Sequence, residues 1–216
     1  MSEDFGNSAG GTRSDVGINY KTMPAHARQM QELGGKLNSE LSTAWTSVTD
    51  LRSTWYGVRY NSLISLFNNV KDSVNEMLTL VVCTIPEQCG TIARNYSIVD
   101  GEPVPQIDAG SINPIDVIEN SDTTRMNYEE GPAAACKEAV SANFDKAEVN
   151  MNEIVTEFDQ IDWTGEIREN YKSQLTNVKS RIEEALENIK TQFGTLMAEA
   201  SEDMERVANA NDVSQG

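Results

Sequence analysis

From Pro24 onward, apolar residues recur in steps of three and four: Leu33, Leu37, Leu41, Ala44/Trp45, Val48 and Leu51. That spacing puts them on one face of an α-helix. The stripe resumes after Gly57 at Leu63, Leu66/Phe67, Val70, Val74, Met77/Leu78, Val81 and Ile85. Pro86 has no backbone N–H, which predicts a kink or an end there, followed by a short helical piece through Ile92 and Tyr96. Gly34-Gly35 is a soft spot, at about 1 kcal/mol per glycine relative to alanine, so the first turns are expected to fray or bend. In the second half Val140, Phe144, Ala147, Met151, Ile154, Phe158 and Ile161 form one stripe. Ile167, Tyr171, Leu175, Val178, Ile182, Ala185/Leu186, Ile189, Phe193 and Leu196/Met197 form the next.

Other stretches lack this period. Residues 1–22 are rich in Gly, Ser, Asn and Asp and read as disordered. Residues 101–131 hold Pro103, Pro105 and Pro114 among Asp, Asn and Ser; so long a stretch without a helical period reads as a linker. A short strand around Thr123 to Tyr128 is weakly signalled within it. Residues 206–216 read as a polar tail. The helical segments then fall into two units, 23–100 and 132–205.

The two units share landmarks. Trp-x-Gly occurs twice, as Trp55-Tyr56-Gly57 and Trp163-Thr164-Gly165, 108 residues apart (163 minus 55). With 14 glycines in 216 residues, two of three tryptophans gaining a glycine at plus two has a chance of about one in a hundred. Pro24 and Pro132 both stand 31 residues before their tryptophan (55 minus 24; 163 minus 132), where proline suits a helix start. Aligned on the tryptophans, Val70 matches Val178, Val74 matches Ile182, Leu78 matches Leu186, Val81 matches Ile189 and Ile85 matches Phe193. The first helices match less well, offset by about one position, as expected of an old internal duplication.

Each Trp-x-Gly must reverse two long helices in a few residues. Glycine supplies the positive φ that ends a helix at C′ without a Cβ clash. The tryptophan lays a large apolar surface across the gap. Trp55, Gly57, Trp163 and Gly165 are thus expected to carry geometry and core filling, not chemistry.

Helix, Trp-x-Gly turn, helix, in units of about a hundred residues, resembles the WXG family of small proteins exported by type VII (Esx) secretion systems. The resemblance implies an all-α fold. Two antiparallel helical hairpins would pack as a four-helix bundle, here an intramolecular pseudo-dimer because one chain supplies both hairpins. It also implies export in the folded state from a bacterial cytoplasm without a cleaved signal peptide. The implied partners are a type VII secretion ATPase and a larger effector or a second WXG-type protein. A Tyr-x-x-x-Asp/Glu signal follows the second helix in one partner of many exported pairs. Tyr96-Ser97-Ile98-Val99-Asp100 is similar to it, whereas Met204 stands at the equivalent place in the second half. In the family that signal lies in a C-terminal tail; here a linker and a second hairpin follow. A 31-residue linker reaches about 100 Å when extended, ample for the roughly 45 Å return an antiparallel pairing needs.

Composition narrows the alternatives. Net charge is −17, which disfavours phosphate backbones and anionic headgroups, so no nucleic acid is expected as a partner. The opening MSEDFGNSAGGTRSDVG has no basic and apolar leader pattern, and the longest mostly apolar run, Met77 to Ile85, is far short of a membrane span. Cys83, Cys89 and Cys136 have no metal-ligand spacing and read as small hydrophobes or near-surface thiols, with a disulfide or redox role as the alternative. His26, the only histidine, is expected to be solvated, and the acidic groups Glu183-Glu184 and Glu199-Glu202-Asp203 to be solvated faces. No catalytic, metal-binding or cofactor-binding set is expected, and no enzymatic activity. The competing reading is a cytosolic acidic helical adaptor, chaperone or antitoxin that is not exported. Further self-association is left open.

Overall fold

The computed structural model describes residues 18–103 and 107–213, and the chain is all-α. Helix α1 is Met23–Asp50, followed by a 3-10 turn at Leu51–Ser53 and a two-residue strand β1 at Trp55–Tyr56. Helix α2, Val58–Leu78, passes through a π-helical stretch at Thr79–Thr84 into α3, Ile85–Asp100. Strand β2 is Asn127–Tyr128, and helices α4, Glu130–Gln160, and α5, Glu166–Val213, complete the chain.

The helical stripes form one continuous core. On α1 the buried set is Met23, Pro24, Ala27, Met30, Leu33, Gly34, Leu37, Leu41, Ala44, Trp45 and Val48, the expected face extended to the N-terminus. Val70, Val74, Leu78, Val81 and Ile85 are buried, and so are their counterparts Val178, Ile182, Leu186, Ile189 and Phe193. Helix α1 packs most extensively along α4, and α2 along α5. At about 25 cal/mol per Å² of apolar surface, such residues dominate the favourable side of folding.

Pro86 neither ends nor visibly breaks the helix. It stands in the first turn of α3, and the backbone continues helically to Asp100. The adjustment lies upstream: the Ile85 N–H reaches back five residues to the Leu80 carbonyl, a π-type bond. An α-helix would give the Val82 carbonyl the N–H of residue 86, which proline lacks. Instead the Gly110 N–H and Gln31 Nε2 donate to it, each at 3.0 Å.

The expected fraying at Gly34-Gly35 is absent, because α1 is helical throughout. Gly34 is where α1 meets the π-helical stretch. A Cβ there would lie 2.6 Å from Val82 Cγ2, so the missing side chain permits the close approach.

The 101–131 segment is ordered rather than structureless from 107 onward. It runs back along α2 as a strap, burying Ile107, Ile115, Ile118 and Ser121. Three asparagines of α2 hold it. Asn75 accepts the Ile115 N–H at 2.8 Å and donates to the Ile115 carbonyl at 3.0 Å. Asn68 does the same for Ile118 at 2.9 and 3.0 Å, and Asn61 for Ser121 at 2.8 and 3.0 Å. The spacing explains itself. Seven helical residues rise about 10.5 Å, close to the roughly 10 Å of three extended residues. At the 108-residue offset, α5 carries Glu169, Thr176 and Glu183 at these places, none with a carboxamide.

Two other boundaries move. The expected disordered stretch 1–22 is structured at its end, with Ile18 bridged to Trp163 and Tyr20 buried; its residues 1–17 lie outside the described residues. The expected polar tail from 206 is helical to Val213, and residues 214–216 lie outside the description.

Candidate functional site

Both Trp-x-Gly tryptophans are core residues. Trp55 is 1% exposed and lies against Tyr60, Tyr128 and Phe193, with ring centroids at 6.1, 5.2 and 6.0 Å. Trp163 is also buried and contacts Tyr171 at 6.1 Å. The glycines have positive φ, 109° at Gly57 and 121° at Gly165. Their position differs from the expected C′ site, because Gly57 is the N-cap of α2 and Gly165 immediately precedes α5. At Gly57, φ 109° with ψ −163° falls in a region open essentially to glycine alone. The turn therefore ends α1 through the 3-10 turn and uses glycine to launch the next helix.

Each turn meets the segment that leads into the other half of the chain. Strands β1 and β2 pair antiparallel, Trp55 with Tyr128 and Tyr56 with Asn127. At the second turn Ile18 bridges Trp163, and the Asn19 N–H donates to the Asp162 carbonyl at 2.9 Å.

Tyr96 and Asp100 lie on the last turns of α3, Tyr96 40% exposed and Asp100 exposed. Sequence reasoning missed their neighbour. Tyr20 stacks on Tyr96 at 6.2 Å between ring centroids, and its hydroxyl donates to Asp100 Oδ2 at 2.5 Å. That bond to a carboxylate, with burial adding to it, pushes the Tyr20 phenol up to about 12. Ile98 and Val99 beside the pair stand 73% and 83% exposed.

At the first turn an open cavity of about 470 Å³ lies between α2, the 123–128 segment and the far end of α5. Trp55 and Ala200 are buried in its wall, and Val58, Met126 and Val207 stand exposed around it. Arg59 crosses from α2 to α5, pairing with Glu199 at 2.6 Å and Asp203 at 3.0 Å; Arg206 also pairs with Asp203. Glu199 and Asp203 are thus tied to α2 rather than merely solvated.

The remaining polar candidates serve packing. His26 is half-buried, not solvated: its Nδ1 donates to Glu157 Oε1 at 2.6 Å, joining α1 to α4. Burial pushes the Cys89 and Cys136 thiols up to about 12, so neither supplies a thiolate near neutral pH. Half-buried Cys83 donates to the Gly110 carbonyl at 3.1 Å. Among the described residues no group of three His, Cys, Asp or Glu could hold a metal, and no helix is long and apolar enough to cross a membrane. No family model, curated protein or solved structure matches the chain, so what it resembles rests on the residues themselves.

Proposed function

We propose that the chain is a secreted WXG-type interaction protein, a substrate or effector-escorting partner of a type VII secretion system. In this reading α1 with α2–α3, and α4 with α5, are two antiparallel hairpins packed as a four-helix bundle. The chain is its own pseudo-dimer, made in a bacterial cytoplasm and exported without a cleaved signal peptide. The observation that carries the reading is the reciprocal placement of the turns: Trp55 pairs with Tyr128 ahead of α4, and Trp163 bridges Ile18 ahead of α1. A lone hairpin needs a partner for its apolar face; here α4 and α5 serve that need for α1 and α2.

Tyr96 and Asp100 are the candidate signal for the secretion ATPase. Four residues apart on α3, they share a face, and Tyr96 presents part of its ring to solvent. Tyr20 holds the Asp100 carboxylate and orients the pair.

The test is the fraction of tagged protein in culture medium, with an intracellular lysis control, for the parent and Tyr96→Ala. Export of the parent and its loss in the variant are expected. Retention of both inside the cell would replace this reading with the cytosolic adaptor, chaperone or antitoxin.

A further inference from the structure

Besides its proline and its Trp-x-Gly turn, each half of the chain carries a tyrosine four residues before the proline: Tyr20 and Tyr128 (24 minus 20; 132 minus 128). The two are used differently. Tyr128 pairs with Trp55 and packs edge-on against it, ring centroids 5.2 Å apart. Tyr20 turns instead to the end of α3, stacking on Tyr96 at 6.2 Å and donating its hydroxyl to Asp100 Oδ2 at 2.5 Å. The second half offers no such acceptor. At the 108-residue offset, Met204 and Ala208 stand where the first half has Tyr96 and Asp100.

Tyr20 is fixed from both sides along the chain. Before it, Ile18 bridges Trp163 and the Asn19 N–H donates to the Asp162 carbonyl at 2.9 Å, so the turn between α4 and α5 holds the segment. After it, the Thr22 and Met23 N–H groups each donate to the Asn19 carbonyl at 3.3 Å, which sets the start of α1. Lys21 Nζ lies 5.8 Å from the centroid of the Tyr20 ring. Ile18 and Tyr20 are two residues apart, at most about 7 Å of extended chain. The turn that holds Ile18 therefore also limits where Tyr20 can go.

A cover would bury what it covers. Tyr20 is itself 8% exposed, yet it leaves Tyr96 40% exposed and Asp100 exposed. It holds the pair without hiding it.

We propose that residues 18–20 clamp the end of α3 to the α4–α5 turn, so that the Tyr96–Asp100 face is held in order only while α4 and α5 are docked. The use of that face as a signal rests on the export reading; the clamp itself does not. Within that reading the clamp is a check on assembly: a chain whose α4 and α5 are out of place offers the secretion ATPase a loose α3 end.

Hydrogen exchange on the full chain reads the clamp at the amides of residues 97–101, with residues 37–48 of α1 as an internal reference. Tyr20→Ala removes the clamp, and Asn19→Pro removes the N–H given to Asp162. Ile18→Gly, which frees the backbone of the bridge, is a second route to the same contact. All should speed exchange at 97–101 by about tenfold, the scale of one lost charge-assisted hydrogen bond. Asn19→Ala keeps its N–H and should exchange like the parent. Parent-like exchange in the reference segment shows that a variant folds. Faster exchange in Tyr20→Ala alone would overturn the link to the turn, and parent-like exchange in Tyr20→Ala would remove the clamp altogether. The fraction of each variant in culture medium separates the two readings. A parent retained inside the cell sinks the export reading and leaves exchange to decide the clamp. An exported parent whose Asn19→Pro variant is exported equally would overturn the check on assembly.

Discussion

Asn75 on α2 grips both backbone groups of Ile115: its Oδ1 accepts the Ile115 N–H at 2.8 Å and its Nδ2 donates to the Ile115 carbonyl at 3.0 Å. The side-chain amide thereby replaces a neighbouring strand. Asn68 and Asn61 repeat the grip at Ile118 and Ser121, so the strap's buried backbone is paired without a sheet.

Asn75→Ala should destabilise the protein by about 1–3 kcal/mol, because two part-buried backbone groups lose their partners. Asn75→Asp should lose nearly as much near neutral pH, since a carboxylate accepts the N–H but cannot donate to the carbonyl. Urea unfolding measures both. Parent-like stability in both variants would mean that the strap is held by its isoleucines alone.

Trp55→Ala and Trp163→Ala should each cost ~3–5 kcal/mol through the cavity left behind. Thermal melting reads this directly. An unchanged midpoint for Trp163→Ala would contradict its burial.

Gly57→Ala and Gly165→Ala separate two penalties. Both place a side chain at positive φ, a strain on the order of 1–3 kcal/mol. Only at Gly57 does the new Cβ also crowd a neighbour, lying 3.1 Å from the Arg125 carbonyl oxygen; at Gly165 nothing is within 4 Å. Gly57→Ala should therefore be the less stable of the two, and the reverse order would deny the crowding a role.

Pro86→Ala should leave circular-dichroism helicity close to that of the parent. The helix already continues through this point, and the Val82 carbonyl already has the Gly110 N–H and Gln31 as donors. A clear gain in helicity would mean that the proline shortens α3 in solution.

Tyr20 supplies a pH dependence at the alkaline end. Its folded pKa is raised to about 12 from 10.0, mainly by the bond its hydroxyl makes to Asp100. A group raised in the folded state contributes stability that is full below its unfolded pKa and lost as pH climbs through the folded one. The stability difference between the parent and Tyr20→Phe should therefore hold up to about pH 10 and shrink toward pH 12. A difference that stays flat across that window would separate Tyr20 from the Asp100 bond.

The helices, their buried faces and both turns are legible in the order of residues along the chain. Repeats such as Val70-Val74-Leu78 and Val178-Ile182-Leu186 report a local period, and a helix is satisfied within its own backbone. The positive φ at Gly57 and Gly165 was readable for the same reason, although its place at a helix start was not. The strap, the Tyr20–Asp100 bond and the cavity arise from packing between distant segments. Ile112, Ile115 and Ile118 recur every third residue, neither a helical nor a strand period, and mean something only against Asn61, Asn68 and Asn75, spaced by seven on a helix far away in sequence. Tyr20 and Asp100 are 80 residues apart and Arg59 and Asp203 are 144 apart, so no local pattern announces either pair. Local hydrogen bonding makes helices legible, whereas backbone groups paired by distant side chains show their partners only once the chain has packed.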